Sequence, residues 1–98
     1  MLPFELLTAP QMAQDIATRL RDRRLRRAWT QQELADRAGM SLSSLRRFER
    51  TGQIAFLSLV RIAVALDATD GLATLFEERP ERLEDLLAPP ARKRGRRS

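Results

Sequence analysis

The sequence predicts an all-α fold of five helices with a flexible basic C-terminal tail, and three observations lead there. Apolar residues recur at spacings of three and four; Thr, Ser and Gly residues punctuate them as helix starts and stops; and aromatics make up only 5% of a chain that is 43% hydrophobic. With so few aromatics, Leu, Ile, Val and Ala must fill the core, which suits packed helices. A length of 98 residues allows one small domain with tails.

Thr8 and Pro10 open a first helix over about 10–26, where Met12, Ile16 and Leu20, with Ala13 and Ala17, share one face. Its second half carries Arg19, Arg21, Arg23, Arg24, Arg26 and Arg27 against Asp22 alone, which reads as a solvated face or one turned to a phosphate backbone. Thr30-Gln31-Gln32-Glu33 fits a capping box and starts a second helix of about eight residues, ended by Gly39. Ser41 caps a third helix over 42–50, with Leu45 and Phe48 inward and Met40 as a hydrophobic staple; Thr51-Gly52 closes it. Two short helices joined by a Gly-centred turn form a helix-turn-helix unit.

Residues 55–66 hold a single charge, so the fourth helix is apolar nearly all round. Phe56, Leu59, Ile62, Ala63 and Leu66 form an inward stripe, and Leu57, Val60 and Val64 a second one, read as a dimer or partner interface unless a fifth helix folds over it. Asp70 caps that short fifth helix through Leu72, Leu75 and Phe76. Residues 77–88 read as an acidic amphipathic segment with Leu83, Leu86 and Leu87 on one side, and 89–98, after Pro89-Pro90, as a disordered basic tail. Residues 1–9 precede the 10–76 domain as an N-terminal arm.

Composition narrows the function classes. There is no Cys and no His, which removes disulfides, thiolate zinc sites and the commonest catalytic bases, so neither an enzyme nor a metal or cofactor site is expected. The acidic group Glu77, Glu78, Glu81, Glu84 and Asp85 reads as a solvated face. No apolar run reaches the roughly 18–20 residues needed to span a bilayer, and the N-terminus lacks a signal peptide's basic region, so a cytoplasmic location without membrane contact is expected. The net charge of +5 is uneven: −5 over 67–91 and +5 over 92–98. Seventeen of the 18 basic residues are Arg, which forks onto phosphate and guanine better than Lys, although coding bias also yields Arg-rich chains.

Residues 30–50, with Thr-Gln-Gln-Glu-Leu-Ala, Gly39, Ser41 through Leu45 and Phe-Glu-Arg at 48–50, resemble the helix-turn-helix of the Cro/repressor-type, or XRE, family. Ile62 to Leu66 is similar to that family's fourth helix, and the likeness extends over about 12–68. It implies a lambda-repressor-like DNA-binding domain whose third helix enters the major groove, with Ser41, Leu42, Ser43 and Arg47 reading bases. Arg47 is the strongest candidate, as a two-donor partner of guanine; Leu42 suits a thymine methyl or simple packing. Gln31 matches a position that clamps a phosphate in the family, Ser44, Arg46, Arg50 and Gln53 are further phosphate candidates, and Glu49 resembles a structural residue paired with an internal Arg. Two departures are an extra residue with no Pro in the loop after Phe48-Glu49, and Asp67 where Gly commonly ends the fourth helix.

Such a domain reads few base pairs, so a homodimer on a palindromic operator is expected. The stretch from Thr8 to Ala17, running into Trp29 to Ala35, is similar to HipB-like antitoxins, which implies a repressor of its own operon with a HipA-type kinase toxin as partner. A stand-alone phage-type repressor, a protein-interaction module using the helix-turn-helix as scaffold, and unspecific nucleic-acid binding through the Arg runs are the alternatives.

Overall fold

The computed structural model describes residues 2–78. It is all-helical there: a 3-10 turn at Phe4–Leu6, then α1 (Ala9–Arg26), α2 (Gln31–Ala38), α3 (Leu42–Thr51), α4 (Phe56–Ala65) and α5 (Thr69–Ala73), with no strand among the described residues. The lambda-repressor-like all-α class holds. The acidic segment from Glu81 to Leu87 and the basic tail lie outside the described residues.

Local chemistry explains the starts. Thr8 and Thr30 each form a complete capping box, the first with Gln11 and the second with Glu33, so two otherwise orphaned amides are satisfied at each end. Ser41 caps α3 by accepting from the Ser44 amide at 3.1 Å.

The ends follow one pattern three times. At α1, α2 and α4 the chain leaves through a left-handed residue, at Ala28 (φ 58°), Gly39 (φ 67°) and Asp67 (φ 56°). In each case the next amide reaches back to the carbonyl five residues earlier: Trp29 to Arg24, Met40 to Ala35 and Ala68 to Ala63. Asp67 therefore fills the role that Gly commonly takes. The Arg27 guanidinium helps there by donating to the Leu66 carbonyl at 3.0 Å, a cation at a helix C-terminus.

α1 packs on α3, α2 on α3 and α4, and α5 on α4. The core they enclose is Ala17, Leu34, Ala35, Ala38, Leu45, Phe48, Ile62 and Leu66, with Leu20, Trp29, Met40, Ile54 and Leu59 against it. Burying a side chain such as Leu45 or Phe48 stabilises the fold by about 1.5–3 kcal/mol. Gly52 sits where α3 meets α1: a Cβ there would lie 2.7 Å from the Ala13 carbonyl carbon, so only glycine permits the approach.

Three expectations need correction. Phe56 is 63% exposed and belongs with the outer side of α4, because it sits at the helix start beyond the reach of α2. The fifth helix does not run through Leu75 and Phe76: α5 ends at Ala73, and the two residues beyond it are 44% and 92% exposed. Asp70 lies inside the first turn of α5; the N-cap is Ala68, with no side-chain bond.

Candidate nucleic-acid interface

α2 and α3 are joined by Gly39, Met40 and Ser41, and the left-handed Gly39 swings α3 across α2. The buried side of α3 is Leu45 and Phe48, which sets its other side outward. Ser41, Ser43, Ser44, Arg46 and Arg47 are all exposed there, with Leu42 half-buried at the edge. The Ser41 hydroxyl donates to the Ser44 hydroxyl at 2.8 Å, so the first turn presents a small polar cluster free of bulk. That shape and donor content suit a major groove about 12 Å wide.

The one carboxylate between Ser41 and Gln53 is turned away from this surface. Glu49 receives both Nε and Nη2 of Arg24, at 2.8 and 3.0 Å, and the two side chains are only 5% and 8% exposed. A third donor comes from the Gln31 amide at 2.8 Å, and Arg24 Nη1 donates to the Trp29 carbonyl at 2.8 Å. With every strong polar group bonded, the buried pair is tolerated, and it clamps α1, α2 and α3 together. Gln14 adds a bond from α1 to the Glu49 carbonyl at 3.1 Å. Glu49 thus pairs with an internal Arg, as the resemblance implied.

The phosphate candidates divide into groups. Gln31 sits at the first position of α2 with its amide nitrogen on Glu49, while its oxygen accepts from Arg46 Nε at 3.3 Å. The carboxylate fixes that orientation, because the amide oxygen facing Glu49 would be repelled. Ser44 and Gln53 share an open cleft of about 240 Å³ with Arg47, Ile54, Ala55 and Ser58. Arg47 Nη2 donates to Gln53 Oε1 across it. Arg50 is exposed in the last turn of α3 and makes no side-chain bond among the described residues.

The arginine run of α1 does not form a single surface. Arg24 is buried, Arg19 pairs with Asp15 at 2.8 Å, and Arg27 caps α4 while lying over the Trp29 ring, which Arg37 also covers at 4.2 Å. Arg21 and Arg26 stay exposed. Arg24 was missed as an internal anchor although its spacing from Ala13, Ala17 and Leu20 puts it on their stripe. Thr51 was missed as well: its hydroxyl donates to the Arg47 carbonyl at 2.7 Å and accepts from the Gln53 amide at 3.1 Å, so the extra loop residue extends and locks α3.

Leu57 and Val64 are 58% and 60% exposed, Val60 is half-buried, and α5 does not cover them. No helix of the described residues is long and apolar enough to cross a membrane, and no group of three or more potential metal ligands occurs among them.

An all-helical domain with a helix-turn-helix, a donor-rich outer α3 and an inward carboxylate defines a helix-turn-helix protein of the DNA-binding regulator class. The description "Helix-turn-helix domain" matches residues 15–81, well over half of the chain, and the chain belongs to that family. No curated protein matches it.

Proposed function

We propose that this protein is a sequence-specific transcriptional repressor that binds a palindromic operator as a homodimer, without catalysis or cofactor, in the cytoplasm. The observation that carries this reading is the sorting of charge on α3: its arginines and serines face out, and its only acid is neutralised inside. Ser41, Leu42, Ser43 and Arg47 are assigned to bases, and Gln31, Ser44, Arg46, Arg50 and Gln53 to phosphates. Gln31 acts through Arg46, whose guanidinium it holds at the end of α2.

Two recognition helices must sit about 34 Å apart to read successive major grooves on one side of the duplex. The stripe of exposed Leu57 and Val64 with half-buried Val60, extended by Phe56, supports a protein interface that sets this spacing. In the domain plan proposed with this function, 1–9 is an arm, 10–76 the reader, 77–88 an acidic segment and 89–98 a basic tail. The likeness to HipB-like antitoxins supports reading the protein as the autoregulating antitoxin of such an operon, with a HipA-type kinase toxin as second partner. A stand-alone phage-type repressor would share everything except that partner.

The test is binding to the DNA upstream of its own reading frame and to a scrambled duplex of equal length at about 150 mM salt. A preference of at least about a thousandfold, erased by Arg47→Ala, is expected. Equal, salt-sensitive binding to both duplexes would show attraction by charge alone.

A further inference from the structure

We infer that Gln53 is a positioning residue that aims Arg47 and thereby sets its base preference. The inference rests on the reading of α3 as the base-reading helix, and it reassigns Gln53 from the phosphate group to the specificity of that site.

Arg47 and Gln53 lie on different elements, the outer face of α3 and the loop before α4, yet the Gln53 side-chain oxygen accepts from Arg47 Nη2. The loop is held from two directions. Thr51 ties the Gln53 amide to the last turn of α3, and Gly52 is wedged against the α1 backbone at Ala13 and Gln14. Gln53 therefore projects from a fixed base, and an exposed Arg that would otherwise sample many rotamers has one bonded position.

Donor arithmetic makes the pairing useful. A guanidinium has five N–H groups and two edges that offer two donors together, Nε with Nη2 and Nη1 with Nη2. Gln53 engages one hydrogen of Nη2. Whichever hydrogen it takes, one two-donor edge stays open, and that edge is what guanine O6 and N7 require. The amide nitrogen of Gln53 also remains available beside it. Holding the fork in advance lowers the ordering cost of the contact.

The experiment selects preferred sites for the full chain from a duplex library with about 20 randomised central base pairs. Wild type, Arg47→Ala, Gln53→Ala and Gln53→Glu are compared. Arg47→Ala should erase a guanine preference at one position in each half-site, and Gln53→Ala should weaken it at that same position by about tenfold. Gln53→Glu keeps an acceptor for Arg47, so it should retain the guanine preference while binding every duplex more weakly. In the free protein, hindered rotation of the Arg47 guanidinium, read from its nitrogen side-chain signals, should be lost in Gln53→Ala and kept in Gln53→Glu. An equal loss for all sequences in Gln53→Ala, with the guanine preference intact, would make Gln53 a phosphate contact and overturn the inference alone. Failure of the wild type to select any sequence would overturn the DNA-reading proposal and this inference with it.

Discussion

The junction of α1, α2 and α3 and the outer side of α4 depart from ordinary burial in opposite directions. At the junction two full charges, Arg24 and Glu49, are buried; on α4 four apolar side chains, Phe56, Leu57, Val60 and Val64, are exposed or half-exposed. The first departure is resolved within the chain, since Glu49 receives Arg24 twice and Gln31 once. On α4 no described residue covers the apolar surface. Buried charge here marks architecture, and the exposed apolar surface supports the interface proposed above.

Breaking the junction should have the largest effect. Arg24→Ala leaves the Glu49 carboxylate buried without its main partner and should destabilise the domain by about 3–5 kcal/mol, measured by urea unfolding. A loss under about 1 kcal/mol would mean that the pair is no more than a surface contact. Gly52→Ala acts on the same junction through the backbone. The left-handed residue costs about 1–2 kcal/mol and the overlap with Ala13 about 1–3 more, so a fall of roughly 2–5 kcal/mol is expected in the same assay.

On α4 the reverse is expected. Val64→Glu should change the unfolding free energy of the dissociated domain by no more than about 0.5 kcal/mol, because the side chain is already exposed within one chain, while loss of the subunit contact lowers only the concentration-dependent part of the stability. The same substitution should convert a dimer to a monomer in sedimentation velocity. A dimer that survives both Val64→Glu and Leu57→Glu would place the subunit contact elsewhere.

The smallest expected effect sharpens the account of helix ends. Asp67→Gly relieves a left-handed non-glycine residue and removes a carboxylate from the C-terminus of α4, and should stabilise by about 0.5–1 kcal/mol. Thermal unfolding of the two proteins side by side measures it.

How much of this was legible in the sequence depends on the range of the physics. Capping boxes at Thr8 and Thr30, the cap at Ser41 and the stops at Gly39 and Gly52 involve residues within four positions, and they place the start of α1 and both ends of α2 and α3 to within about one residue. The donor-rich outer side of α3 followed from the inward Leu45 and Phe48 by helical period alone. Arg24 falls on the stripe of Ala13, Ala17 and Leu20 by spacing, but the arginines around it make the run read as solvated. Its partner lies 25 residues away, and only the fold brings them together. The pairing of Arg47 with Gln53 was hidden for a different reason, because it depends on the loop path set by Thr51 and by the contact of Gly52 with α1. Phe56 departs from its stripe because spacing gives a residue's direction on a helix and says nothing of whether a neighbour extends that far, and Phe76 falls outside α5 because spacing does not fix where a short helix ends.

In the proposed complex α3 meets DNA and the outer side of α4 does not. Titration of the isotope-labelled protein with a duplex carrying its preferred site, followed by amide shifts, tests it most directly. Large shifts at Ser41, Ser43, Ser44, Arg46 and Arg47, with Leu57, Val60 and Val64 unmoved, are the expected result. Shifts centred on α4 or on Arg21 and Arg26 of α1, with the Ser41–Arg47 amides unchanged, would contradict recognition through the helix-turn-helix.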